Sequence, residues 1–153
     1  MKKLFFIGLV VAGALFSGCA TVAMEPKEIS DKAKLFDQPT QENAGLYIYR
    51  DSILGAALKK DIWVDDKCVG ESAPKTFFYE VVKGGQVHKI TTESEFSPND
   101  MILTTKGGKN YFVRQYIKMG AFVGGANLEL VDEVEGKKAV SELEMAKKGN
   151  CSK

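Results

Sequence analysis

The stretch DIWVDDKCVGE (Asp61–Glu71) decides the fold class of this chain. Two short apolar runs in it flank the polar tripeptide at positions 65–67. Short runs of β-forming residues on either side of acidic turn residues are typical of a β-hairpin. The stretch therefore predicts two paired strands joined by a tight turn.

Similar runs, separated by turn residues, lie on both sides of this hairpin. They are LYIYR (46–50), TFFYEVV (76–82) and the segments 86–93, 101–105, 111–118 and 128–131. Glycine pairs and Pro-Asn-Asp punctuate them, and no strand-helix-strand alternation is present. Short strands at regular spacing predict an all-β sandwich or barrel. We expect a mainly β protein, an antiparallel β-sandwich of about seven or eight strands.

The periodicity changes after the last of these runs. Asp132 with Glu135 three residues later forms a capping box, and Gly149 supplies a stop signal. The apolar residues between them recur at helical spacing: Ala139, Val140, Leu143 and Ala146. The pattern predicts one C-terminal helix over residues 132–148.

The start of the chain has the pattern of a lipoprotein signal. Two lysines precede an apolar stretch at 4–15, and the run Phe16-Ser17-Gly18-Cys19 follows it. The stretch is too short to span a bilayer, which takes about 20 apolar residues. It predicts export, cleavage before Cys19, and attachment of diacylglyceryl and fatty acyl chains such as palmitate at that cysteine. A plain secretory signal followed by an incidental cysteine is the alternative.

The segment between Cys19 and the first strand is polar and contains two prolines. It predicts a tether, in which Ile29, Ala33 and Phe36 fall at helical spacing. A short helix docked on the domain and a mobile spacer both fit this pattern. The expected organisation is a signal peptide at 1–18, a lipidated tether at 19–43, and a sandwich domain with its terminal helix at 44–153.

Two cysteines remain once Cys19 is assigned to lipid. Cys68 and Cys151 form an even pair in an oxidising compartment, which favours a disulfide between them. The alternative is that Cys68 is a small strand residue and Cys151 lies in a frayed tail.

The residue content argues against several kinds of chemistry. A formal net charge of +1 gives no electrostatic basis for binding nucleic acid. His88 is the single histidine and lies on a predicted strand, where a half-exposed sheet residue is expected rather than a catalyst. No nucleophile motif accompanies it, and one histidine with two cysteines does not make a zinc site. We therefore predict no enzyme activity, no catalytic residue, no metal and no cofactor.

The glycine-rich loop at 119–125 is the best candidate for a functional segment. It combines mobility with the apolar side chains of Met119, Phe122 and Val123. We expect the loop to fold back against the terminal helix. The alternative is an exposed contact for a protein or a lipid, forming one rim of a binding surface.

Several of these segments resemble an uncharacterised family of bacterial lipoproteins, a domain of unknown function. The resemblance rests on an early Phe-x-x-Pro (Phe36, Pro39) leading to LYIYR, and on the segments IWVDDKCVG (62–70), VKGGQVH (82–88), LVDE (130–133) and GKK (136–138). The middle part is similar to PEGA-type modules, with Asp66 at the hairpin glycine and Gly84 at the proline of their pattern. The resemblance implies a β-sandwich on a lipid tether. With Ala20 after the acylated cysteine, it also implies an outer-membrane lipoprotein facing the periplasm.

The expected function is therefore that of a lipid-anchored cell-envelope protein presenting a small β-sandwich as a non-catalytic binding or structural module. Its partners would be the membrane, through the lipid, and an envelope protein or glycan. A carbohydrate- or peptidoglycan-binding domain would instead show a shallow groove containing Trp63 or tyrosines. A periplasmic enzyme would show a deep pocket of convergent polar groups near His88.

Overall fold

The computed structural model describes residues 18–152, so the predicted signal peptide lies outside the described residues except for Gly18. Nine strands and two helices form within these residues. They are α1 (Lys27–Ala33), β1 (Asn43–Arg50), β2 (Lys60–Val64), β3 (Lys67–Ser72), β4 (Thr76–Lys83), β5 (Val87–Thr92), β6 (Asn99–Thr104), β7 (Lys109–Lys118), β8 (Gly125–Val131), α2 (Glu133–Ser141) and β9 (Glu144–Met145).

The strands form two sheets, which confirms the predicted mainly β fold. One sheet has the order β8-β7-β1-β4-β9 and the other has the order β3-β2-β5-β6. The main core lies between them, because alternate side chains of each strand point to the facing sheet. Its buried members include Leu46, Ile48, Ile62, Phe78, Ile90 and Val113.

Most neighbouring strands are antiparallel, as predicted, but two pairs are parallel. β1 pairs in parallel with β7, from Ala44 opposite Lys109 to Tyr49 opposite Arg114, and β4 pairs in parallel with the short β9. A parallel pair needs a long connection. Between β1 and β7 the chain crosses to the four-stranded sheet twice, first to form β2 and β3 and then to form β5 and β6. No local sequence signal marks this connection.

The C-terminal helix is shorter than the pattern predicts. Asp132 caps α2 as expected, its carboxylate accepting a 2.9 Å bond from the N–H of Glu135. The helix ends at Ser141 and the chain then pairs with β4 as β9. Leu143 and Met145 are both buried and lie two residues apart, a spacing that fits a strand rather than a helix.

The segment before β1 is docked, which selects the first of its two alternatives. Ser30 of α1 is fully buried and its hydroxyl donates to Glu144 Oε2 at 2.9 Å. The phenol of Tyr47 donates to the carbonyl of Ala33 at 2.8 Å. Phe36 packs on a second apolar cluster, which covers the outer face of the five-stranded sheet beneath α2.

The sandwich has two ends with different connections. We call one the loop end, formed by the loops 51–59, 93–98 and 119–124. We call the other the turn end, formed by the tight turns 65–66, 84–86 and 105–108. The N–H of Ala126 donates to Glu93 across the loop end, and Thr105 Oγ1 donates to Lys83 across the turn end. The two sheets thus meet at both ends, and each end presents a separate surface.

Candidate functional site

An open cleft of about 440 Å³ lies at the turn end, between the edges of β3 and β4. It exists because β9 pairs only with Thr76 and Phe77, so the rest of β4 has no strand on that side among residues 18–152. Its apolar wall is formed by Val64, Val69, Val81 and Val82. Its polar lining is formed by Asp65, Lys67, Glu80, Lys83, Gln86 and His88.

His88 lies on strand β5, as predicted, but it is buried at the inner end of this cleft rather than half-exposed. Its Nδ1 lies 2.7 Å from Oδ2 of Asp65, and its Nε2 lies 2.8 Å from the carbonyl oxygen of Lys83. Both partners are acceptors, so both contacts are hydrogen bonds only when the ring carries two protons. Both ring nitrogens therefore face acceptors of the protein itself, and neither is free to contact a substrate.

Asp65 belongs to the turn that the sequence predicted. Asp65 and Asp66 have φ values of 50° and 62°, and positive φ at both central residues is typical of a type I′ hairpin turn. Aspartate is less usual there than Asn-Gly, and the Asp65 carboxylate compensates by accepting from His88 and from the Lys89 N–H. Burial raises the pKa of Asp65, but the hydrogen bonds from His88 and Lys89 together lower it by more than burial raises it. The pKa of the Asp65 carboxyl is therefore below its usual value.

The disulfide between Cys68 and Cys151 is present, as predicted. It ties β3 to the C-terminal segment, which also bonds through the N–H of Gly149 to Val69 and through Ser152 to Asp61. The C-terminal segment is therefore packed rather than frayed. Among residues 18–152, Cys19 is the free cysteine, and it is exposed.

A second, shallow groove of about 430 Å³ runs along the outer face of the four-stranded sheet. Trp63 is half-buried in it, because Ile62 and Val64 on either side point into the core. The groove's polar groups are paired with each other: Lys89 with Asp66 at 2.6 Å, and the hydroxyl of Thr91 with Asp100 at 2.7 Å. An aromatic face beside hydroxyl and carboxylate groups is suited to a sugar ring.

The glycine-rich loop does not pack on α2, so that expectation is wrong. Phe122 is 87% exposed and Met119 is 85% exposed, and Val123 is also exposed. α2 follows the opposite end of β8, about 20 Å away for a strand of this length. The loop is instead fixed by Glu95, whose carboxylate accepts the N–H groups of Ala121, Phe122 and Val123 at 2.6, 2.5 and 3.1 Å.

Arg50 and Glu95 are site residues that the sequence analysis missed. The fully buried guanidinium of Arg50 donates to the carbonyls of Leu58, Leu54 and Gly55 at 2.6, 3.0 and 2.8 Å. It holds loop 51–59 from inside, as Glu95 holds loop 119–124. Neither role has a local sequence signal, since each depends on loops that are brought together only by the fold.

Among residues 18–152, no group of three or more His, Cys, Asp or Glu side chains is placed to hold a metal ion. Within the same part of the chain, no helix has the length and apolarity to cross a bilayer.

The chain is similar to other proteins over most of its length. A family model described as "Protein of unknown function (DUF2846)" matches residues 40–126. A Haemophilus influenzae protein named "Uncharacterized protein" is 58% identical over 147 residues, covering 95% of this chain and 87% of that relative. No solved structure matches the chain. The chain belongs to the DUF2846 family of proteins of unknown function.

Proposed function

We propose that this protein is a lipid-anchored cell-envelope protein of the outer membrane, facing the periplasm, whose β-sandwich is a non-catalytic binding module. The observation that carries the proposal is the placement of Cys19 relative to the cleft. The N–H of Ala20 donates to the carbonyl of Ala56 at 2.7 Å, which puts Cys19 beside the loop end. The cleft opens at the turn end. A lipid on Cys19 would leave the cleft free on the far side of the domain.

The groups that line the cleft support binding rather than catalysis. Both nitrogens of His88 are occupied, Cys68 is in a disulfide, and Glu80 is paired with Lys148 at 2.6 Å. A general base or nucleophile needs a free, reactive atom within reach of a substrate. These three side chains already use theirs within the protein.

The edge of β4 indicates the kind of partner. From Glu80 to Lys83, β4 pairs with β1 on one side and borders the cleft on the other. An open strand edge beside an apolar wall is the surface to which an extended polypeptide adds as a further strand. We therefore propose an extended segment of an envelope protein as the ligand.

The anchor is tested by the intact mass of the protein extracted from native membranes, measured under non-reducing conditions with and without alkylation. The expected mass is that of the chain from Cys19 onward plus acyl chains, with no thiol available for alkylation. An unacylated chain with an alkylatable thiol would contradict the anchor.

The binding site is tested by photo-crosslinking in cells. A photoreactive amino acid at Val81 faces the cleft, and the same group at Leu130 is a matched control with similar exposure outside it. We expect the probe at Val81 to form crosslinks to an extended segment of an envelope protein. The probe at Leu130 should not form them. Identical products from both positions would contradict a binding cleft.

The groove at Trp63 favours a second candidate, binding of a cell-wall glycan. The half-buried indole with Thr91 and Asp100 beside it matches the groove expected for that function. Trp63 is the one tryptophan of the chain, so its fluorescence reports directly on the groove. Titration with peptidoglycan fragments should change its emission in the native protein and less so in Asp100→Ala. Unchanged emission at saturating fragment would exclude this candidate.

A further inference from the structure

Six large apolar side chains at the loop end face solvent. Phe122, Met119, Phe96 and Ile53 are 87, 85, 79 and 70% exposed, and Leu54 and Val123 are each more than half exposed. Single exposed apolar residues are ordinary on protein surfaces, whereas a cluster of them marks an interaction surface.

The three loops that carry these side chains contact one another. Glu95, next to Phe96, accepts the N–H groups at the tip of loop 119–124. Loop 51–59 reaches the same loop from the other side, since a Cβ placed on Gly124 would lie 2.6 Å from Leu58 Cδ1. The loops that carry the six exposed side chains therefore meet at one end of the domain, and we call these six side chains the apolar tip.

The apolar tip is held in position by buried or shielded charges. Arg50 fixes the carbonyls of loop 51–59, and the Glu95 carboxylate fixes the N–H groups of loop 119–124. Side chains on loops fixed in this way lose little further backbone freedom when they enter another phase. The fold keeps these residues exposed instead of burying them against the core.

The polypeptide enters the domain at the same end. Ala20 bonds to Ala56, one residue from Gly55 and two from Leu54, so the exposed Cys19 lies next to the apolar tip. An acyl chain on Cys19 would enter a bilayer within a few residues of these side chains.

We propose that the apolar tip docks on the phospholipid bilayer, inserting its six side chains at the boundary between headgroups and acyl chains. Burial of apolar side chains in this region is favourable, and the acyl chains proposed on Cys19 would hold the apolar tip at the bilayer surface. Lys118, exposed beside Met119, is placed to meet lipid phosphate. The inference rests on the proposed lipid anchor for its orientation. Docking fixes the domain with the turn end and its cleft pointing away from the membrane.

The experiment places a tryptophan in the apolar tip and measures its quenching by lipid. Phe122→Trp in a Trp63→Phe background is reconstituted, as the protein extracted from membranes, into phosphatidylethanolamine–phosphatidylglycerol vesicles containing dibrominated phosphatidylcholine. Val134→Trp in the same background is the matched control, since Val134 is 80% exposed at the start of α2. We expect a blue shift and a loss of emission for the Phe122→Trp protein, and neither for the control.

Two outcomes would overturn the docking. One is equal quenching at both positions. The other is no quenching at position 122 in protein that floats with the vesicles, which would leave the apolar tip as a surface for a protein or a second copy. Flotation reports separately on the anchor. If the extracted protein does not float, the same variants are coupled through the Cys19 thiol to a maleimide phospholipid. Quenching at position 122 then supports docking without the native lipid, and its absence overturns it.

Discussion

His88 Nδ1 lies 2.7 Å from Asp65 Oδ2, and this contact joins the β2–β3 turn to the start of β5. The other ring nitrogen bonds the carbonyl of Lys83 at the end of β4. One buried imidazole thus connects the two sheets at the turn end, directly behind the cleft.

Asp65→Asn should destabilise the protein by about 1 kcal/mol at neutral pH, because an amide oxygen is a weaker hydrogen-bond acceptor than a carboxylate and the 44% exposed carboxylate is partly screened. The pKa of Asp65 is lower in the folded protein than in the unfolded chain, where it is about 3.9. The ionised carboxylate therefore stabilises the protein above about pH 3.9, and this stabilisation is lost as the pH falls through the folded-state pKa. Urea unfolding across acidic pH measures both effects.

Asp66→Asn is the matched control for this prediction. Asp66 also has positive φ, but its carboxylate is exposed and, within residues 18–152, its ion pair is with Lys89 on the surface. Asparagine favours positive φ at both positions, so the difference between the variants isolates the contact with His88. Equal unfolding free energies would contradict a stabilising contact between Asp65 and His88.

Removing the disulfide should cost about 4 kcal/mol in the chain-entropy model, because its loop spans a sequence separation of 83 residues. The double variant Cys68→Ser, Cys151→Ser should unfold at lower denaturant than the native protein. The native protein with reductant is the control and should match the variant. A variant as stable as the oxidised protein would show that the bonds of Ser152 and Gly149 suffice to hold the C-terminal segment.

Tyr49→Phe should stabilise the protein by about 1 kcal/mol. The Tyr49 hydroxyl is buried without a hydrogen-bond partner among the described residues, and an unpaired buried polar group is unfavourable. Burial raises the pKa of Tyr49 to about 12, so the native protein also loses stability as the pH rises from about 10 through that value. The variant should lose less stability over this alkaline range. Thermal melts at neutral and alkaline pH measure both.

Tyr47→Phe is the matched comparison, with the opposite expected sign. Tyr47 lies on the same strand and face, but its hydroxyl donates to the carbonyl of Ala33 at 2.8 Å and holds α1. Its removal should destabilise the protein by about 1 kcal/mol. The same sign for both variants would refute the hydrogen-bond argument.

Glu95→Ala should speed amide hydrogen exchange at Ala121, Phe122 and Val123, because these N–H groups lose their acceptor. Burial raises the pKa of Glu95, but the three backbone hydrogen bonds together lower it by more, so the pKa lies below its usual value. Protection of the three amides in the native protein should therefore persist at neutral pH and be lost as the pH falls through that lowered pKa. Glu142→Ala, an exposed glutamate after α2, serves as the control. Slow exchange in Glu95→Ala would mean that the loop holds its shape without the carboxylate.

The predictable parts of this fold are those set by neighbours in sequence. The turn at Asp65-Asp66, the cap at Asp132 and the alternation of the strands follow from local conformational preferences. The pairing of Cys68 with Cys151 followed from compartment and number rather than geometry. By contrast, the parallel contact of β1 with β7 and the position of His88 between Asp65 and Lys83 depend on residues distant in sequence.

The loop at 119–125 illustrates why the site was harder to predict than the fold. Its composition marked it as unusual, but the sequence is compatible with two positions for its apolar side chains. They could pack against the terminal helix or remain exposed to solvent. Glu95 decides between them through hydrogen bonds to three backbone groups, which any sequence in the loop presents. Burial of Arg50 is equally invisible, because its partners are carbonyls.

The parallel pairing of β1 has a consequence for how the chain folds. β1 is buried from Ala44 to Arg50, and its neighbour β7 starts only at Lys109. β1 and β7 cannot pair through a hairpin, because they are parallel and distant in sequence. The rate of folding is therefore expected to depend on closing the long loop between them. Until then the segment LYIYR is an exposed, β-prone apolar strand, the type of segment that aggregates. β4, the antiparallel partner that precedes β7 in the chain, is the strand available to cover β1 until β7 has formed.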